Sequence, residues 1–532
     1  MKEERYYLPF LFLFSILLYL PFLGSRDLWA PVEPRYGEIA RVMFAKGEWI
    51  VPTVNGDLYT DKPILYFWLV LAFSHLAGGV GEWTLRLPSA LSSVGLVMAT
   101  YFLGKECFDR RVGFFAALIL ATTARAVWEG RWAHTDMLFT FLFTCSIYFF
   151  FRLWRGEEGR RGAFLAYFFM GLAVLAKGFI GVVLPGLILG LFLTFTGTIT
   201  ELRRFRVGLG IAIVLLVVSS WFAPVTLATQ GRWLSEFIWT HHVQRYLAGA
   251  GHEEPFYYYF VNFPADFLPW TLFLVPAALA CWPRRRMLTQ PVPLFLAIWF
   301  LVVFGFFSLS DTKRGLYLLP LYPAAALFAA HFIVGLEKGE GGGVRTLTVI
   351  GIVFFVVLLV ASVSLPFVAL QFRPELFRPA IPFALVNILG ALLVVGSLKK
   401  KDFSSASLWI ATVILAGILC SSGWILPVID HYKSPRVFAA EVKQRVAPGE
   451  PLYIYEDRMN DFNFYLEREV IPVLSTPDEL AEIAARRSRA YVLMRENDLN
   501  RARADSPSVW EIVVKGATGS EEWVLLRPTR GG

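Results

Sequence analysis

The side chains able to do chemistry stand out from an apolar background. A stretch between two apolar runs reads Glu33-Pro34-Arg35-Tyr36-Gly37-Glu38 and later Tyr59-Thr60-Asp61-Lys62-Pro63. Carboxylates such as Glu33 and Asp61 supply a general base or a metal ligand. Arg35 and Lys62 are phosphate binders, the first a planar fork and the second a point charge. An acid beside cations at a bilayer surface suits a lipid-phosphate substrate, although such residues also serve as interfacial anchors and helix caps. Lys177 is a lone cation in Leu175-Ala176-Lys177-Gly178. It either snorkels or has a function. Asp136 follows Thr135 and either caps the helix from 137 or works at its outer end. Arg245 shares a loop with His241 and His242 and is either a surface ion pair or an anion ligand. Adjacent histidines rarely face one metal ion. Lys313-Arg314 lies on the outer side, against the charge trend described below, which points to an anion partner. Asp27, Asp57 and Glu38 read as caps or structural pairs.

These residues need elements to hold them, and the composition says which kind. Of 532 residues, 56% are apolar and only 17% charged, against about a quarter charged in a soluble domain. Apolar runs at 8–24, 83–104, 112–127, 135–152, 162–176, 179–196, 207–228, 265–282, 292–309, 315–335, 345–369, 380–398 and 406–428 predict about thirteen transmembrane helices. No alternating barrel pattern competes with this reading. The net charge of +8 comes from short basic loops between the runs. Topology explains it, and no nucleic-acid partner is expected. Those loops alternate sides, so the positive-inside rule puts loops 25–82 and 230–264 and the tail from Asp430 on the outer face. The four cysteines match no metal motif and read as packing residues.

The long first loop has its own structure. Helical spacing runs from Glu33 to Ala45 with Pro34 in the first turn, and an aromatic amphipathic segment follows Pro63. Both suit helices lying in the membrane interface. The tail alternates strand-like runs (Pro451–Tyr455, Val470–Leu474, Ala490–Met494, Trp510–Val514, Trp523–Arg527) with a helix at Pro477–Arg487. Two domains are therefore expected: residues 1–429 in the membrane and a small α/β domain over residues 430–532.

The ordered motifs extend this reading. Glu33-Pro34-Arg35-Tyr36-Gly37-Glu38-Ile39-Ala40 is followed by Tyr59-Thr60-Asp61-Lys62-Pro63-Ile64-Leu65-Tyr66-Phe67-Trp68, Arg131-Trp132-Ala133-His134-Thr135-Asp136-Met137, Leu175-Ala176-Lys177-Gly178, His241-His242-Val243-Gln244-Arg245-Tyr246 and Lys313-Arg314-Gly315-Leu316-Tyr317. The set resembles the dolichyl-phosphate-mannose-protein mannosyltransferase superfamily, and within it the bacterial aminoarabinose lipid A transferases. The resemblance implies a GT-C fold and transfer of a monosaccharide, with inversion, from a polyprenyl-phosphate donor such as undecaprenyl phosphate. Lipid A or another outer-leaflet glycan would accept the sugar, on the periplasmic side of the inner membrane. It implies catalytic roles for Glu33 and Asp136, and donor binding by Arg35, Tyr36, Tyr59, Lys62, Lys177, Arg245 and Tyr317. A divalent metal ion at Asp61 is the one cofactor it allows. Relatives often show Asp-Glu before the Arg-Tyr pair; here Val32-Glu33-Pro34 leaves Glu33 as the carboxylate. A protein acceptor, as in protein mannosylation, and a lipid or solute transporter are the alternative readings. The chain shows no inverted repeat and no glycine-rich phosphate loop.

Overall fold

The computed structural model describes residues 4–239, 254–281, 290–339, 344–456, 460–485, 490–505 and 510–529. The chain divides into two compact units, Met1–Leu23 with Thr60–Tyr66 and Arg86–Ser421, and Gly24–Tyr59 with Phe67–Leu85 and Ser422–Gly532.

The first unit is helical throughout. Among the described residues, eight helices are long and apolar enough to cross a membrane. A ninth span results if Arg110–Ala121 and Ala124–Gly130, bent by 66°, form one. Each expected apolar run contains a helix, but Tyr7–Tyr19, Ile180–Phe195 and Thr271–Cys281 are short. Glu82–Cys107, Thr135–Arg155 and Gly315–Glu337 are mostly buried, whereas Val344–Phe372 and Pro374–Lys399 are mostly exposed. The first three therefore form the centre of the unit, and the last two supply lipid-facing surface. Small residues let the central helices approach closely. A Cβ on Gly104 would lie 2.6 Å from the Gly113 Cα. Polar side chains tie down the first helix: Tyr19 donates to the Ala121 carbonyl at 2.8 Å, and Arg131 donates to those of Leu18 and Pro21. Cys107 and Cys145 are buried free thiols.

The second unit combines most of the long first loop with the tail. The helix Glu33–Lys46 begins with Pro34 in its first turn and ends at Gly47, whose φ of 63° suits glycine. Strands β1 (Thr53–Val54) and β2 (Asp57–Leu58) form a hairpin closed by Asn55-Gly56. Both turn residues have positive φ, 52° and 85°, as a tight two-residue hairpin turn requires. The aromatic segment forms the helix Leu65–Ala77.

The tail forms a mixed five-stranded sheet of β3 (Leu452–Tyr455), β4 (Val473–Leu474), β5 (Tyr491–Arg495), β6 (Trp510–Thr518) and β7 (Glu521–Pro528), in the order β4-β3-β5-β7-β6. β3 runs parallel to β4 and β5, and β7 runs antiparallel to β5 and β6. Side chains alternate across it as strand geometry demands. Leu452, Leu493 and Leu525 join Phe438 and Val442 in one core, while Val492, Met494 and Val524 join Leu480 and Ile483 in another. All five strands lie where the sequence places them, and the expected helix is Pro477–Ala485. The helix Arg436–Arg445 precedes β3, and the short helix Asn463–Leu466 and the helix Glu496–Asp505 lie in the β3–β4 and β5–β6 connections.

Candidate active site

In the membrane unit, two helix ends bring opposite charges together. Asp136 stands in the first turn of Thr135–Arg155, where no side chain caps the helix. Its carboxylate instead pairs with Lys177 Nζ through Oδ1 and with His134 Nδ1 through Oδ2. Lys177 is the last residue of Arg160–Lys177. Each charge thus sits at the helix end whose dipole favours it. Asp136 is fully buried and Lys177 nearly so, so Lys177 does not snorkel. The ammonium lies 4.8 Å from the ring centre of Tyr317 and 5.3 Å from that of Phe139, a cation–π arrangement on two faces. Tyr317 comes from the 3₁₀ segment Gly315–Leu321. Lys62 and Asp61 are within electrostatic range of Tyr317, and Lys62 of Lys177 as well. Lys62 and Asp61 form an ion pair at 3.1 Å, with both side chains partly open to solvent. Asp61, Lys62, Asp136, Lys177 and Tyr317 therefore gather in one unit, with Lys177 buried and Lys62 partly exposed.

This donor set does not favour a divalent metal. Lys62 already engages the Asp61 carboxylate. Among the described residues no three His, Cys, Asp or Glu come together as a metal site would need.

In the second unit, Glu33 is fully buried. Arg26 grips its carboxylate at 2.9 Å and the Trp29 backbone N–H donates to it at 3.2 Å. Arg26 in turn lies over the Trp29 ring at 4.4 Å, and the Trp29 indole donates to Asp430 at 2.6 Å. Glu33 thus holds the loop that enters its own helix. Tyr36 and Tyr59 are buried and meet Phe67 in an aromatic trio, their ring centres 5.2 and 5.9 Å from it. Arg35, on the same helix, is half-buried. Glu38 and Asp27 are structural pairs: Glu38 receives a two-point grip from Arg41 at 2.7 and 2.8 Å, and Asp27 an ion pair from Arg436 at 2.8 Å. Burial raises the Glu38 pKa, and the Arg41 grip opposes the shift. Arg245, His241 and His242 lie outside the described residues.

Two participants were not singled out from sequence. His134 completes the Asp136 cluster and Arg26 clamps Glu33. His134 lies inside a motif quoted above and Arg26 just ahead of one, but only their three-dimensional partners distinguish them.

Comparison with known proteins gives the family and the fold. Residues 61–223 match the family described as dolichyl-phosphate-mannose-protein mannosyltransferase. The "undecaprenyl phosphate-alpha-4-amino-4-deoxy-L-arabinose arabinosyl transferase" of Shewanella sediminis is 30% identical over 485 residues, covering 88% of this chain and 86% of that protein. A Pseudomonas fluorescens protein of the same description is 29% identical, covering 84% and 78%. The fold is similar to the crystal structure of ArnT from Cupriavidus metallidurans bound to undecaprenyl phosphate, with a TM-score of 0.77, 22% identity and 97% of both chains covered. It is also similar to an Archaeoglobus fulgidus oligosaccharyltransferase, with a TM-score of 0.55, 12% identity and 99% and 76% covered. Fold and relatives define the class: an integral inner-membrane glycosyltransferase of GT-C architecture. The chain belongs to the undecaprenyl phosphate-aminoarabinose arabinosyl transferase family.

Proposed function

We propose that this enzyme moves aminoarabinose or a similar monosaccharide from an undecaprenyl-phosphate donor to lipid A or another outer-leaflet glycolipid, on the periplasmic face. The observation that carries the reading is the Asp136–Lys177–Tyr317 cluster with Lys62 beside it, in a chain whose relatives are described as using such a donor. The alternation of basic loops supports the orientation, and with it a domain division in which the tail faces the periplasm.

The chemistry follows from charge. An acceptor oxygen attacks the anomeric carbon from the face opposite the phosphate. The bond from that carbon to the phosphate oxygen breaks, and its electron pair leaves with the polyprenyl phosphate. Negative charge grows on the departing phosphate, where fixed cations lower the barrier most. Lys62 takes the phosphate as the accessible point charge. Lys177 adds a second, shielded charge, which Asp136 and the Tyr317 ring keep in place. Arg35, Tyr36, Tyr59 and Arg245 complete donor binding in this proposal. A phosphate oxygen as acceptor needs no base. Glu33, already held by Arg26, then orders the loop that enters its own helix. A hydroxyl acceptor instead requires Glu33 to leave Arg26 and take the proton.

The test is transfer by purified enzyme from a panel of synthetic polyprenyl-phosphate sugars to lipid A, to dephosphorylated lipid A and to peptides. The expected result is inversion and transfer to lipid A alone. Transfer to peptides would replace the acceptor assignment with a protein one. Transfer to dephosphorylated lipid A would move the attack to a hydroxyl.

A further inference from the structure

Toward the ends of these helices opposite Asp136 and Lys177, the membrane unit carries an apolar groove of about 430 Å³. Its walls come from Thr135–Arg155, Arg160–Lys177, Ile180–Phe195, Ile199–Phe205 and Val207–Ala228. Glycines shape it. Gly186 and Gly190, one turn apart, have nothing within 4 Å of where a Cβ would point. The Tyr167 ring packs against Gly210 so closely that a Cβ there would come within 2.2 Å of it. Water gains little in such a space, and an empty groove forfeits dispersion contacts. In a bilayer, hydrocarbon must fill it.

The mouth of the groove selects which lipid brings that hydrocarbon. The lining residues Leu202, Phe205 and Val207 alternate with Arg203, Arg204 and Arg206. Arginines elsewhere at this end are neutralised: Arg110, Arg111, Arg152 and Arg155 each pair with a glutamate, as Arg204 does with Glu201 at 2.9 Å. Arg160, Arg161, Arg203 and Arg206 are exposed, and none forms an ion pair among the described residues. Uncompensated cations at headgroup level attract anionic lipid. We propose that the groove is a binding site for one anionic phospholipid, with an acyl chain along Gly186 and Gly190 and its phosphate on Arg203 and Arg206. The site is separate from the donor-phosphate cluster and belongs to the leaflet facing the basic loops.

Native mass spectrometry of the purified protein tests this, with phosphatidylglycerol, phosphatidylcholine and undecaprenyl phosphate as probes. One phosphatidylglycerol should be retained at least tenfold more tightly than phosphatidylcholine. Gly190→Leu, whose new side chain enters open space, should abolish retention without lowering the melting temperature. Arg203→Gln with Arg206→Gln, both exposed, should reduce phosphatidylglycerol to the phosphatidylcholine level. Equal binding of the two phospholipids, or retention unchanged in both variants, would overturn the proposal. Displacement of phosphatidylglycerol by equimolar undecaprenyl phosphate would overturn it too, and would give the groove to the donor.

Discussion

A lysine ammonium buried at the end of an apolar helix is tenable only with a counter-charge, and Asp136 provides it for Lys177. Breaking one side of a buried pair costs about 3–5 kcal/mol, whereas replacing both with apolar groups is often neutral. Asp136→Asn should therefore lower the unfolding midpoint sharply. The double variant Asp136→Leu with Lys177→Met should regain most of the stability but none of the transfer activity. Stability and activity measured on the same three proteins check this, and activity in the double variant would reduce the pair to a structural strut. Glu33 makes a different case, since Arg26 and the Trp29 N–H already engage its carboxylate. Glu33→Gln keeps an acceptor for the N–H and should reduce transfer to a phosphate acceptor less than about tenfold. Loss of a general base would cost about 10²–10⁴-fold, so the kcat of this variant separates the two roles. Residue types announced Lys177, Asp136, Asp61 and Lys62 as candidates. The Lys177–Asp136 pairing, 41 residues apart in sequence, was not legible because nothing local encodes it. His134 and Arg26 lie close in sequence to their partners, but residue type alone did not mark either pairing.

At the scale of elements, local signals were strong where chain geometry is local. Pro34 and Gly47 bracket the first loop helix. Asn55-Gly56 closes a hairpin that the sequence reading passed over, although its turn chemistry was there to be read. The five tail strands followed from their apolar alternation. The bend between Arg110–Ala121 and Ala124–Gly130 was hidden inside one apolar run, because hydropathy registers burial and not direction. Helix contact in the membrane unit depends on missing side chains. Gly104→Val would push a Cβ into the Gly113 backbone at 2.6 Å, and backbone cannot step aside as a flexible side chain can. Overpacking of this kind costs about 1–3 kcal/mol. A lowered melting temperature is expected for Gly104→Val and not for the same change at Gly186, where the space is open.

At the scale of the whole molecule, hydropathy read the class correctly, because lipid admits few solutions for a helical chain. It did not reveal that Gly24–Tyr59 and Phe67–Leu85 fold with Ser422–Gly532. That grouping rests on contacts such as Asp27 N–H to Asp430 and Leu28 N–H to the Tyr465 hydroxyl, more than 400 residues apart in sequence. Orientation follows from the basic loops and can be measured directly. A cysteine at the exposed Lys46 should react with a membrane-impermeant maleimide in intact cells whose outer membrane has been permeabilised. One at the exposed Lys400 should react only after the inner membrane is opened. The reverse pattern would place the donor cluster on the cytoplasmic side and undo the proposed donor.

Single-turnover transfer of aminoarabinose from synthetic undecaprenyl-phosphate-aminoarabinose to lipid A, comparing wild type with Lys62→Met, tests whether this cation holds the departing phosphate. Wild type should transfer the sugar, and the variant should lose about 10²–10³-fold and show weaker competition by undecaprenyl phosphate. Folded wild type that transfers nothing, or a Lys62→Met enzyme within about twofold of wild type where a transition-state contact should cost far more, would contradict this role.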